Sequence, residues 1–485
     1  MRKLSNSYSE NVMQLDRLLR VDENFDMLKK ILKVGEDELT FYYLDGFVKD
    51  AVMQKLMLSL SSQKGICPEK SAGEAAVYEF MRSYVVYVET EITESLDSMI
   101  SAVMSGGTLM IGSRFGSYAI LVDSRSYPAR ETTEPQNDRV MRGPRDGFVE
   151  TLISNTALIR RRIRDTNLTM KYISVGLESK TDVVLCYMAD RADEKYVSNL
   201  EKKLRTLEVA TLTMGHQSLA ESLIKTRWYN PFPKIRITER PDVAAAQIYE
   251  GSVIILIDTS PQAMILPTSI FDFLQETNDF YFPPLTGSYV RAVRHIIFWL
   301  TLFLIPIWYL MTRYPDAVPS WLAFALPKET GLVPIIAQLL IVEFVVDGLK
   351  MASMNTPDML SNSLSVVGGL ILGDFAVGLG WLIPEVIILT AFVAIANFSQ
   401  RSYELGYAFK FMRIMLLILS GIFGFWGFLV GVALIIILLC TNRTLNGECT
   451  YLYPLIPFNL KGLLSVLFRI RKKDVHNAGD REMPE

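Results

Sequence analysis

The stretch LIVEFVVDGLK, Leu340 to Lys350, places Glu343 and Asp347 four residues apart inside an otherwise apolar run. On a helix that spacing stacks both carboxylates on one face. What they mean depends on the solvent the run sees, and the chain around it divides in two. Up to about Tyr289, charged and apolar residues are mixed as in a soluble α/β protein; from His295 to Cys440, apolar runs dominate, broken by isolated charges. In a chain of 485 residues, 50% of them hydrophobic, the second part reads as a membrane domain.

A helical crossing needs about 20 apolar residues. His295 to Thr312 supplies one, with Arg291 and Arg294 before it and Trp308, Tyr309 and Tyr314 at the far interface, so its start is expected to face the cytoplasm. VPSWLAFALPKETGLVP is too short and Pro-rich, an interfacial or re-entrant piece; IIAQLLIVEFVVDGLK is the return crossing. The Gly-rich stretch around Asp374, followed by Pro384 and Glu385, reads as two interrupted helices. No charge occurs from Ile414 to Cys440, where SGIFGFWGFLVG leaves one long helix or a tight hairpin open. Arg401, Lys410 and Arg413 before this block, and six Lys or Arg from Arg443 to Lys473 after it, favour both flanks in the cytoplasm.

The first part carries two α/β units. TLMIGSRFGSYAILVDSRSY has a strand, turn, strand pattern, and YVETEITESLDSMISAVMSG before it reads as a helix. A helix from about Gly147 to Ile163 opens the second unit, followed by strand candidates MKYISVGL and DVVLCYMA, the helix EKYVSNLEKKLRTL and the strand SVIILIDTS. The N-terminal segment lacks an apolar signal region, which predicts a cytoplasmic location.

Chemistry is not indicated. GSRFGS lacks the order of a phosphate loop, no nucleophile elbow or HExxH occurs, and Asp258 ends a strand without an identifiable partner. The four cysteines and three histidines are scattered, which predicts unpaired thiols and no metal site. A net charge of -3 gives no argument for nucleic acid. No enzyme activity and no cofactor are expected.

An ionised carboxylate at the bilayer centre costs at least about 2.5–3.5 kcal/mol, so such groups face protein or water. Glu343, Asp347, Asp374 and Glu385 meet almost no base within the membrane runs. Either some are protonated, or they look into a hydrated path that attracts cations. Interhelical hydrogen bonding is the plainer alternative, with Lys350 in reach of Asp347 and Glu385 near a helix start. Gly427 and Gly431 have GxxxG spacing, which allows close helix packing or the gathering of several copies about an axis.

MRGPRDGFVETLISNTALIRRRI, Met141 to Ile163, resembles the signature of the GerA family, the A subunits of spore germinant receptors. The likeness continues in GSYVRAVRH, in the acidic helix, in SVVGGLILGDFAVGLGWLIPEVI and in YLYPLIPF. It implies an integral protein of the endospore inner membrane, two cytoplasmic α/β subdomains and a membrane domain that oligomerises into a cation-conducting ring, such as a pentamer. It also implies partner membrane subunits, either receptor subunits or an accessory protein, and acids at the places of Glu343, Asp347 and Asp374 that suit a pore. Glu385 departs from the receptor pattern.

The basic signature has its own plain reading. RGPRDGF is a turn with Pro144 before a helix, and RRRIR is the helix's basic end, complementing its dipole. The alternative is that Arg142, Arg145, Arg160, Arg161 and Arg162 contact other subunits or lipid headgroups, with Gly427 and Gly431 also at subunit contacts.

The expected fold is α+β followed by a helical membrane part: a tail (1–22), a first cytoplasmic α/β subdomain (23–145), a second (146–287), a polytopic transmembrane domain (288–445) and a basic amphipathic cytoplasmic tail (446–485). The expected function is a subunit of an oligomeric channel for monovalent cations, with Glu343, Asp347 and Asp374 on the path. A non-conducting scaffold or receptor subunit is the alternative, and a secondary transporter a third.

Overall fold

The computed structural model describes residues 3–63, 73–85, 89–124, 140, 143–224, 228–328, 331–355, 376–400, 402–442 and 450–468. The chain forms two compact units. One comprises residues Met1–Lys225 and Ile235–Pro267, the other Thr226–Lys234 and Thr268–Glu485.

The first unit holds two five-stranded antiparallel sheets. In chain order its first half contains α1 (Tyr8–Leu19), β1 (Met27–Val34), β2 (Asp37–Leu44), α2 (Asp50–Ser61), α3 (Glu74–Tyr84), β3 (Thr90–Thr93), α4 (Leu96–Met104), β4 (Thr108–Gly112) and β5 (Ala119–Val122). The strands are ordered β1-β2-β4-β5-β3. Successive side chains of a strand point to opposite faces, and here both faces are covered. Tyr42, Leu44, Leu109 and Ile111 pack with α1 and α4, whereas Leu39, Phe41, Met110 and Ile120 pack with α2 and α3. That is why the inner strands read as apolar runs.

The second half contains α5 (Leu152–Arg162), β6 (Leu168–Val175), β7 (Thr181–Met188), α6 (Glu194–Arg205), α7 (His216–Leu223), β8 (Arg236–Thr238), α8 (Pro241–Tyr249), β9 (Val253–Ile257) and β10 (Ala263–Leu266). Its strand order is β6-β7-β9-β10-β8. Leu152 and Ile159 of α5 and Ala244 and Ile248 of α8 share a core with Val184, Cys186, Ile254 and Leu256. Burial raises the pKa of the Cys186 thiol, which keeps it inert.

Two readings from sequence change here. The acidic stretch taken for one helix is strand β3 followed by α4, whose start is set by Ser95 accepting a hydrogen bond from the Ser98 amide. Asp258, expected without a partner, accepts from the Leu152 amide at 3.1 Å and so caps α5.

The second unit is helical: a 3-10 turn (Ile270–Leu274), α9 (Thr277–Tyr281), α10 (Pro284–Arg313), two further 3-10 turns (Pro315–Ala317 and Ser320–Ala325), α11 (Ile335–Asn355), the single turn α12 (Ala376–Gly378), α13 (Pro384–Phe398), α14 (Tyr403–Cys440) and α15 (Leu460–Leu467). Among the described residues, α10 and the apolar run of α14 meet the length and composition of a membrane crossing. Asp374 lies outside the described residues.

The choice between one long helix and a hairpin falls to the hairpin. A straight helix of 38 residues would be about 57 Å long, nearly twice the hydrocarbon thickness of a bilayer, about 30 Å. At Gly424 the backbone leaves the helix, with φ 62° and ψ -137°, a conformation open to glycine at little cost. Beyond it the chain folds back. A Cβ added to Gly427 would lie 2.0 Å from the Leu419 carbonyl oxygen, and one added to Gly431 would lie 2.6 Å from Leu416 Cδ2. Arg313 covers the end of the first limb by donating to the carbonyls of Ser420 at 2.9 Å and Gly421 at 2.6 Å. Gly427 and Gly431, expected at contacts between subunits, are therefore spent on close packing of two limbs of one chain.

A test follows from this contact. Gly427→Ala should lower the melting temperature of the detergent-solubilised chain by several degrees, because backbone oxygen must move. Gly348→Ala, on α11 with nothing within 4 Å of its added Cβ, should be neutral or gain up to about 1 kcal/mol from helix propensity. Equal effects of the two substitutions would contradict the hairpin.

Candidate functional site

Besides an apolar core that includes Phe298, Trp308 and Phe409, the helical unit buries several charges and leaves many large apolar side chains on its surface. Glu343 is 7% exposed and Arg413 1%, while Phe344, the next residue along α11, is 78% exposed and Trp426 74%. Ile388, Ile395, Ile422 and Phe423 are likewise exposed. An exposed apolar surface of this extent marks contact with lipid or protein.

Inside, α11 and α14 meet through an ionic cluster. Arg413 donates from Nε to Glu343 Oε1 at 2.7 Å and from Nη1 to the Thr301 carbonyl of α10 at 2.6 Å. Lys410 donates to the Glu343 carbonyl oxygen at 3.0 Å, lies 3.3 Å from Glu343 Oε2 and is ion-paired with Asp347. The spacings explain the match. Glu343 and Asp347 are one turn apart on α11, Lys410 and Arg413 nearly one turn apart on α14, so two short ladders of opposite charge face each other. Lys350, one further turn along α11, lies over the Tyr407 ring at 5.2 Å.

This overturns one expectation. From sequence the acids lack bases within the apolar helices, and Lys410 and Arg413 belong to a cytoplasmic flank. Both bases are buried and pair with Glu343 and Asp347 inside one protomer. Sequence reasoning missed them because they stand where charged and apolar composition meet. Their spacing of three residues just ahead of a charge-free run was the available signal.

A cavity of about 30 Å³ adjoins the cluster, lined among others by Asp347, Lys350, Thr390, Asn397, Tyr407 and Lys410. That is room for one or two waters. Asn397 Oδ1 and, nearby, Gln400 Oε1 are buried without a hydrogen-bond partner among the described residues. Glu385 stands in the first turn of α13, where a carboxylate complements the helix dipole.

Two arginines of the basic signature, Arg160 and Arg162, are bonded within the fold of the first unit. Arg160 is 2% exposed and makes a two-pronged pair with Asp26, Nε to Oδ2 and Nη2 to Oδ1 at 2.9 Å each, and Nη1 donates to the Leu168 carbonyl at 3.0 Å. Arg162 pairs with Asp146 at 2.5 Å and donates to the Leu158 carbonyl. Asn155 accepts from the Val149 amide at 2.8 Å and donates to the Val149 carbonyl. Arg240 donates to the Pro144 carbonyl at 2.9 Å, fixing the preceding turn. Arg160, expected at a subunit or lipid contact, is therefore a buried internal strut. Arg145 and Arg161 are exposed, and Arg142 lies outside the described residues.

The Bacillus/Clostridium GerA spore germination protein family model matches residues 15–478. The chain belongs to the GerA family. Among curated relatives it is similar to stage V sporulation protein AF of Bacillus subtilis (strain 168), 38% identical over 451 residues, covering 93% of this chain and 90% of that protein. It is also similar to spore germination protein KA of the same organism, 25% identical over 473 residues, covering 96% and 85%. Among solved structures, the N-terminal domain of the A subunit of the Bacillus megaterium spore germinant receptor GerK3 matches at 24% identity with a TM-score of 0.41. That match covers 55% of this chain and 96% of that one. Within the RGPRDGF signature of this GerA chain, Asp146 pairs with Arg162 and Phe148 sits in the core of the α/β unit.

Proposed function

We propose that this GerA chain is a membrane subunit of the spore germination apparatus, seated in the inner membrane of the endospore with its α/β unit on the cytoplasmic side. Copies of it would surround a path for monovalent cations released during germination, working with receptor or accessory membrane subunits. The observation that carries the reading is the burial of charge beneath exposed apolar side chains in the helical unit. Apolar side chains such as Phe344 and Trp426 face outward while Glu343, Lys410 and Arg413 lie within, the arrangement expected where lipid is the solvent and polar groups serve function.

In this reading Glu343 and Asp347 belong to the path, together with Asp374, and the charges of Lys410 and Arg413 balance those of the first two carboxylates until the helices part. Conduction is then tied to opening of the cluster. The test is release of K+ or Rb+ from proteoliposomes. Asp347→Asn should cut flux about tenfold by removing one attracting charge. Glu343→Gln is best made together with Arg413→Met, so that no buried charge is orphaned. Flux unchanged in both, with the assembly intact, would take these acids off the path.

A second reading, a non-conducting scaffold or receptor subunit, is favoured by the pairing of both acids within one protomer. It predicts that liposomes remain tight whichever charges are altered.

A further inference from the structure

The ammonium of Lys410 sits in a nest of oxygens from a single face of α11: the carbonyl of Glu343 at 3.0 Å, its Oε2 at 3.3 Å, and the carboxylate of Asp347. One backbone carbonyl and two carboxylates are hard oxygen donors, the kind that replace the hydration shell of an alkali cation. On the open side lies the cavity of about 30 Å³, which Asn397 also lines. The Asn397 Oδ1 has no donor among the described residues, and neither has Oε1 of Gln400, a residue only 8% exposed. Gly406, another lining residue, would carry a Cβ 3.5 Å from that Oε1. The surroundings of the ammonium are therefore richer in acceptors than in donors.

The two bases differ in how firmly they are held. Arg413 is anchored by Glu343 on α11 and by the Thr301 carbonyl on α10, and its planar fork is pre-organised for such a site. Lys410 is a point charge on a flexible stem and touches α11 alone among the ion pairs described. If the lysine withdraws, two carboxylates and one guanidinium remain. These three groups carry a net charge of -1, which a single monovalent cation balances. Lys350 also lines the cavity; it lies over the Tyr407 ring, and its charge acts on Asp347 as well.

We propose that Lys410 is the tethered occupant of a monovalent-cation site formed by Glu343 and Asp347, and that an alkali cation takes its place when the lysine leaves. The inference rests on the proposed cation path and assigns Lys410 as the residue that closes it.

The test uses the full chain with Lys410→Met, which keeps the stem and removes the charge. Its thermal melting is followed in detergent with K+, Rb+ or N-methylglucamine chloride at constant ionic strength. The variant should melt about 3 °C higher in saturating K+ or Rb+ than in N-methylglucamine, the wild type should show no difference, and Lys410→Met with Asp347→Asn should lose the effect. Should Lys410→Met not yield monodisperse protein, the proposal requires that K+ or Rb+ present throughout purification restore it where N-methylglucamine does not. A variant no more cation-sensitive than the wild type, or one that K+ fails to restore, overturns the site. Binding by the variant alongside tight wild-type and variant liposomes would keep the site and remove the conduction reading; leaky liposomes without a cation effect would do the opposite.

Discussion

Arg413→Met is expected to cost the helical unit about 3–5 kcal/mol, the usual penalty for breaking a buried ion pair from one side. The cause is arithmetic inside the cluster. Glu343 and Asp347 face Lys410 and Arg413, two charges against two. Removing Arg413 leaves a net negative charge among apolar helices and also removes the guanidinium donor to the Thr301 carbonyl. The loss should appear as a lower melting temperature in detergent, by about 10 °C, and as poor recovery of monodisperse protein. Adding Glu343→Gln restores the balance, because Asp347 and Lys410 remain paired, and should recover more than half of the loss. A single variant as stable as wild type, or a double variant no better than the single, would contradict a coupled buried cluster.

This cluster was half legible in the sequence. Carboxylates inside an apolar run are conspicuous because hydrocarbon rejects them, so Glu343 and Asp347 stand out at once. Lys410 and Arg413 do not, because bases just ahead of an apolar block look like an ordinary cytoplasmic flank. Only the fold-back at Gly424 and the packing of α14 on α10 and α11 reveal that they enter the interior. The hairpin itself was undecidable from composition, since a Gly-rich apolar stretch suits a close-packed helix and a turn equally well. In the α/β unit, β4, β7 and β9 were readable as apolar runs, whereas β2 and the buried β10 were not read as strands. Nor was β1, because its MLKKILKV sequence puts three lysines on an edge strand. The misread acidic stretch is a case of charge obscuring backbone preference: TEIT is a β-branched strand, and Ser95 marks where the helix begins.

Asp26→Ala is expected to destabilise the α/β unit by about 3–5 kcal/mol. Asp26 and Arg160 are both 2% exposed and meet through two parallel hydrogen bonds of 2.9 Å across 134 positions of sequence, so the pair ties the segment leading into β1 to helix α5. With the carboxylate gone, a guanidinium that cannot deprotonate retains only the Leu168 carbonyl. Faster hydrogen exchange in β1, α5 and β6 of the full chain should report the loss. Replacing both partners with apolar residues, Asp26→Leu with Arg160→Met, removes the orphaned charge and should bring exchange back close to wild type. The double variant also separates fold from contact. If Arg160 acted at a surface between subunits, assembly measured by mass in detergent would stay defective in the double variant. If its work is internal, assembly should recover together with exchange protection, leaving exposed Arg145 and Arg161 as the described members of the signature able to meet another surface.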